Sequence, residues 1–148
     1  MNFSPWFVED SDFGRFEKAL VAEVEPGTNS VVFVDYVGLF SLKGLGPQEK
    51  FWLISEISRR LKLAAVALDV PIIAAVQANR QVESRKEKFL TLADLRDSGQ
   101  LEADADIVLG LTRNGDTLDA DVLKNRHGPT ASYSLRFDAP RAAVEERD

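Results

Sequence analysis

The sequence predicts an α/β domain in which a mainly parallel sheet, flanked by helices, is extended by an antiparallel hairpin region at the C-terminal end. Three observations carry that expectation. Residues 31–36 (VVFVDY) and 71–76 (PIIAAV) are short, nearly unbroken apolar runs, the pattern of parallel strands covered on both faces. Between them lies a stretch with helical periodicity. From residue 114 onward the pattern changes to short alternating runs punctuated by Asn-Gly and Gly-Pro, which is hairpin chemistry.

Taken in order, residues 3–8 form a short apolar segment broken by Pro5, suited to an edge strand. Ser11 or Asp12 then caps a helix whose Phe13, Phe16, Leu20 and Val24 recur at helical spacing, and Pro26-Gly27 stops it. The first buried strand follows at 31–36. Pro47 opens a helix to about Leu68, with Phe51, Ile54, Ile57, Leu61, Ala64 and Leu68 as its apolar stripe. After the strand at 71–76 comes a charged, aperiodic loop, residues 77–89.

Residues 91–111 (TLADLRDSGQLEADADIVLGL) read as two short helical pieces with a possible turn at Ser98-Gly99, then a strand at 107–111. Thr91 and Asp94 stand at capping-box spacing. Two short helices and a glycine joint make a poor core element and a good contact loop. Beyond them, Leu118, Ala120 and Val122 alternate with Asp119 and Asp121, and Tyr133, Leu135 and Phe137 alternate in a last strand. The expected organisation is one domain over residues 1–148 with a frayed tail at 140–148.

Composition narrows the function classes. A 148-residue chain can bury roughly 70% of its unfolded surface. It has no cysteine and one histidine, His127, which excludes thiolate chemistry and histidine-cluster metal sites. No apolar run approaches the ~20 residues of a membrane span, and the N-terminus lacks a basic leader, so a cytoplasmic location is expected. The net charge of −6 argues against a general nucleic-acid coat but leaves room for a focused basic site. Arg80, Arg85, Lys86 and Lys88, or Lys124 with Arg126, could form one, or could be solvated surface charges.

Three positions are candidates for chemistry. Asp35 ends an apolar strand, where ligands of open α/β sheets bind, and either supports a hydrated Mg²⁺ or merely caps a turn. Gln77 leaves the next strand at the equivalent end, to orient a water or phosphate or to tie up strand-end backbone. Lys124-Asn125-Arg126 sits at the end of a hairpin strand, where an Arg can reach across an interface to a phosphate or remain a surface charge.

Together, VVFVDYVGLF, EISRRLKLAAVALDVPIIAAVQANRQVESRKEK, LADLRDSGQLEADADIVLGLTR and LKNRHGPT resemble, in order and spacing, the C-terminal RecA-like motor domain of DnaB-type replicative helicases. The resemblance covers about residues 31–137, and Phe7-Val8-Glu9-Asp10 is similar to the strand before it. It implies that Asp35 is the Walker B aspartate supporting Mg²⁺. Gln77 would be the polar residue linking nucleotide state to the DNA loop. Arg96, Asp97 and Gly99 match loop positions that grip single-stranded DNA, with Asp104 and Asp106 structural. Lys124 and Arg126 match the pair that enters a neighbouring subunit's site.

One part of the family pattern is missing. A helicase motor needs G-x-x-x-x-G-K-[ST] to cradle phosphates, and none of the nine glycines here precedes a lysine. The resemblance therefore implies a truncated RecA-like domain, lacking also the family's upstream glutamate and its primase-interacting domain. Without the cradle strand, the strand at 71–76 keeps an unpaired edge, filled by residues 3–8, by the third strand, or by another polypeptide.

The expected function is a replication or recombination accessory that binds single-stranded DNA, a full-length helicase subunit or itself, with no cofactor and no ATPase activity alone. The alternative is one part of a split or truncated ATP-dependent DNA helicase, with ATP and Mg²⁺ bound only when a partner or upstream segment supplies the cradle. A structural relic is the third option. The intact Arg96, Ser98-Gly99 and Lys124-Asn125-Arg126 weigh against it.

Overall fold

A computed structural model describes residues 11–79, 82, 85 and 89–147. The segment expected to be an edge strand, 3–8, lies outside the described residues, as do Arg80, Lys86 and Lys88. The chain divides into two compact units, residues 1–77 and 78–148.

In the first unit, α1 (Phe13–Glu23) starts where the Asp12 carboxylate accepts a hydrogen bond from the Arg15 N–H, one of the donors a helix start leaves unpaired. Phe13, Phe16 and Leu20 are its buried face. Phe40 packs edge-on to Phe13, with ring centroids 5.0 Å apart, and against Phe16 at 5.1 Å. α2 (Lys50–Leu68) follows a single 3-10 turn at Pro47–Glu49 and buries Ile54, Ile57, Leu61 and Leu68. Phe51, expected in that stripe, is exposed at the helix start and stacks edge-on with Trp52. Arg60 on α2 pairs with Glu17 on α1 and lies over the Phe13 ring at 5.1 Å, joining the two helices. α2 ends at Asp69, held in the left-handed region at φ 51 with its N–H on the carbonyls of Ala65 and Val66.

β1 (Val32–Val34) and β2 (Ile72–Ala74) form a two-stranded parallel sheet in register Val32↔Ile72, Phe33↔Ile73, Val34↔Ala74. Both strands were expected to be buried on two faces. Among the described residues only one face is covered: Val34 is buried, while Phe33 and Ile73, paired across the other face, are 67% and 53% exposed. Parallel sheets are stable when helices cover both faces, and among the described residues this one has helices on one side. Pro71 accepts from Val32 and Ala75 donates to Val34, so the odd-numbered residues of β2 face β1. The backbone groups of Ile72 and Ala74 then point to the outer edge of β2, where no strand pairs among the described residues.

The second unit begins with the helical turn Leu92–Ser98 and α3 (Gly99–Asp104), then an antiparallel meander in the order β3 (Ile107–Asn114), β4 (Thr117–Asn125), β5 (Ser132–Asp138), β6 (Ala143–Glu146). The β3–β4 hairpin turns at Gly115, where φ is 63 and a side chain would be strained. On β3, a Cβ at Gly110 would sit 3.0 Å from the Leu123 Cδ1 and 3.2 Å from the Leu90 Cβ, so any larger residue there would push these neighbours back by a few tenths of an ångström. Arg113 lies over the Phe137 ring at 4.4 Å.

Two expectations are corrected here. The mainly parallel sheet is seen only in part: among the described residues two strands pair in parallel, and the third predicted strand joins a four-stranded antiparallel sheet. The tail after Pro140 is not a frayed end, because Ala143–Glu146 pairs with β5. Its charged residues supply links: Arg141 bonds both Asp138 and Glu145, and Glu145 also pairs with Arg136 across the strands.

Candidate functional site

The first unit presents Asp35 and Gln77 at the carboxyl ends of adjacent parallel strands. Asp35 follows Val34 directly and Gln77 lies three residues beyond Ala74. Both are exposed, and the Asp35–Tyr36 peptide is cis. The strand ends are fixed by backbone bonds, with the Ala75 N–H on the Val34 carbonyl at 2.8 Å and the Val37 N–H on the Ala75 carbonyl at 3.0 Å. Neither side chain is in a hydrogen bond or ion pair among the described residues. Asp35 is a lone carboxylate, and no cluster of three or more metal-ligating side chains exists among the described residues. Magnesium is held by one or two carboxylates together with substrate phosphates. With no phosphate cradle in the chain, the residues present do not make a nucleotide–metal site by themselves.

The second unit holds the remaining candidates, and here side chains are pinned. Arg96 and Asp97 stand on the helical turn Leu92–Ser98; their side chains lie outside the described ones. The turn expected at Ser98-Gly99 does not form. Gly99 is right-handed helical at φ −51, ψ −22, and the chain runs through it into α3. The break falls earlier, at Leu95, with φ −84 and ψ 16. Among the described residues a Cβ at Gly99 would meet nothing within 4 Å, so none of them requires a glycine there.

Both ends of the 91–106 segment are tied down. At its start the Asp94 carboxylate accepts from the Thr91 N–H and the Thr91 hydroxyl, each at 2.8 Å, as the capping-box spacing predicted. At its end Lys124 and Arg126 are occupied locally. The Lys124 Nζ donates to the Glu102 carbonyl at 2.6 Å and Arg126 donates to the Ala103 carbonyl at 2.9 Å. These are the C-terminal carbonyls of α3, which carry partial negative charge and lack helix partners. Arg126 also pairs with Asp106 at 3.2 Å, and its N–H bonds the Asp106 carbonyl. The pair expected to reach outward thus caps a helix within its own chain. Asp104 accepts from Gln100, consistent with a structural role.

One participant was missed by the sequence. Arg85, read there as part of a basic cluster that forms a focused site or is solvated surface charge, makes a two-pronged ion pair with Asp94, donating at 3.0 and 2.5 Å. Hydrogen bonding from Arg85, aided by the Thr91 donors, holds the Asp94 carboxyl below the usual aspartate range against the opposing effect of burial. Only the Thr91–Asp94 spacing hinted at this node. A groove of about 590 Å³ in the second unit lies elsewhere. It is lined by Asp119, Asp121, Ser132 and Ser134 among others, and none of its lining residues is cationic, so it does not suit an anionic ligand.

The family model for the DnaB-like helicase C-terminal domain matches residues 17–146. The chain belongs to that family. Among relatives, it is 41% identical over 111 residues to a probable plasmid replicative DNA helicase of Chlamydia muridarum, covering 73% of this chain and 24% of that protein. It is 37% identical over 116 residues to the replicative DNA helicase DnaC of Bacillus subtilis, covering 72% and 26%. A solved DnaB-like replicative helicase, studied with its interactions with primase, superposes with a TM-score of 0.83 at 32% identity, over 97% of this chain and 36% of the other. A second solved structure, an ATPase domain, superposes with a TM-score of 0.77 at 34% identity, over 90% and 50%. The chain spans about a quarter of the length of the curated relatives it matches. The DnaB-like fold is α/β. Among the described residues no helix is long and apolar enough to cross a membrane.

Proposed function

We propose that this DnaB-like chain is a DNA-replication accessory that does not hydrolyse ATP alone and acts by binding single-stranded DNA, a helicase subunit or a second copy of itself. The observation that carries the reading is a mismatch within one sequence. The segment 91–106 and the Lys124/Arg126 pair are present and held in place, while no glycine is followed by the lysine a phosphate cradle needs. Phosphoryl transfer depends almost entirely on positioning phosphates and neutralising their charge, so Asp35 and Gln77 without a cradle are not a motor. Arg96, Asp97 and Gly99 are the residues proposed to meet the DNA backbone, where contacts from Arg96 would make binding salt-dependent.

Calorimetry of the chain with ATP and Mg²⁺ is the direct test. No saturable binding is expected, and tight binding would overturn the proposal. For the DNA half, a labelled single-stranded oligonucleotide should bind at low salt and Arg96→Ala should weaken it. Absence of binding sinks that half.

A second reading, one part of a split ATP-dependent helicase, is favoured by the outer edge of β2, which no strand pairs among the described residues, and by the exposed Phe33–Ile73 face. An added strand and helix would cover both. On this reading a cradle-bearing partner restores ATP hydrolysis, and Asp35→Ala abolishes it.

A further inference from the structure

We propose that Arg85, acting through Asp94, is the positioning residue that presents residues 92–99 to a nucleic-acid backbone. The inference rests on the DNA-binding half of the proposed function and adds a residue that the loop itself does not contain.

The Asp94 side chain is 4% exposed, and four hydrogen bonds converge on its carboxylate, two from Arg85 and two from Thr91. Its carbonyl accepts from the Asn79 N–H at 3.2 Å. One residue therefore gathers three stretches of chain: the start of the second unit at Asn79, the charged loop that carries Arg85, and the helical turn.

The break at Leu95 makes this anchor decisive. Helical continuity from Leu92 does not carry past a residue with non-helical backbone angles, so the direction of residues 96–99 is set by what holds each side. On one side that is Asp94, and on the other the α3 carbonyls held by Lys124 and Arg126. A planar guanidinium gripping both carboxylate oxygens fixes orientation as well as distance, which a lysine cannot do. The charge of Arg85 is matched by a buried acid, so its part is to hold the loop and the phosphates fall to other residues. Burial favours neutralising Asp94, and the Arg85 and Thr91 donors keep it ionised, which maintains the grip at neutral pH.

The test compares the full chain with Arg85→Ala, Arg85→Lys and Asp94→Asn. Two measurements are needed: amide hydrogen exchange, and binding of a labelled oligothymidylate across a salt series. In Arg85→Ala, amides of residues 92–99 should exchange about tenfold faster, the effect of losing a charged hydrogen-bonded pair, while those of β3 and β4 stay unchanged. Oligonucleotide affinity should fall with the salt slope retained, and Arg85→Lys should recover it only in part. Asp94→Asn keeps the side-chain shape and should reproduce the exchange change even if Arg85→Ala folds poorly. Unchanged exchange at 92–99 in both folded variants overturns the proposal. So does a salt slope reduced by about one in Arg85→Ala with exchange unaltered, since Arg85 would then touch phosphate directly. A wild-type chain that binds no oligonucleotide overturns the functional reading beneath it, and the exchange data tell that outcome from a failed clamp.

Discussion

The strand ends of the first unit and the loop of the second hold their functional candidates in opposite ways. Asp35 and Gln77 are exposed on well-fixed backbone, and no partner among the described residues constrains their side chains. The 91–106 segment has poor secondary structure of its own, a helical turn with a break and a six-residue helix, yet side chains from outside it hold both ends. Residues meant for a ligand that completes the site can stay open to solvent at little cost. A loop that must keep a shape without helical continuity needs ion pairs and caps. The loop is therefore held by side chains at both ends, whereas the strand ends are fixed through backbone alone.

The sharpest way to break that contrast is to unpin the loop. Arg85→Ala leaves a buried carboxylate without its main partner and should cost about 2 kcal/mol in chemical denaturation. A loss within experimental error would make the Asp94 node ornamental. The same node sets a pH response. Its folded pKa is depressed, so its contribution is fully present above the ordinary aspartate range and is lost as pH falls below about 4 toward the depressed value. The difference in denaturation midpoint between wild type and Arg85→Ala should therefore shrink on acidification. A constant gap would place the interaction elsewhere.

Smaller effects probe the other end. Lys124→Ala or Arg126→Ala should free the α3 carbonyls, raise amide exchange around Leu101–Ala105 and cost roughly 0.5–1 kcal/mol. If exchange there does not change, the pair is free to reach outward even in the isolated chain. Gly99→Ala is expected to be neutral or to stabilise α3 by up to about 1 kcal/mol, because its backbone is helical and its Cβ meets nothing. The same variant should bind the oligonucleotide less well if DNA approaches the Gly99 backbone. Asp35→Ala should stay within about 0.5 kcal/mol of wild type in stability, as for an exposed, unpaired surface group. A larger loss would show that the strand end is not as open as its exposure indicates.

Much of this was legible from local pattern. The helix at 50–68, the Asp12 cap, the Thr91–Asp94 spacing and the Gly115 turn each follow from residues a few positions apart. The family was carried by four motifs in order. The errors came where long-range partners decide. VVFVDY reads as a strand covered twice, because apolarity shows that a residue can be buried and not whether a layer is present to bury it. RAAVEERD reads as frayed, because the pairing of Glu145 with Arg136 and Arg141 joins residues that look like scattered surface charge.

By itself, then, the sequence determined most of the helices and strands up to residue 138, the DnaB-like family, and that none of its glycines precedes the lysine of a phosphate cradle, since these depend on local periodicity and on motif residues in order. Only the tertiary structure decided that β3 pairs antiparallel with β4, that Lys124 and Arg126 cap α3, and that Arg85 grips Asp94. Those outcomes depend on which charges and edges the fold brings within hydrogen-bond reach. Arg85 and Asp94 are nine residues apart, a spacing that matches neither helix nor strand.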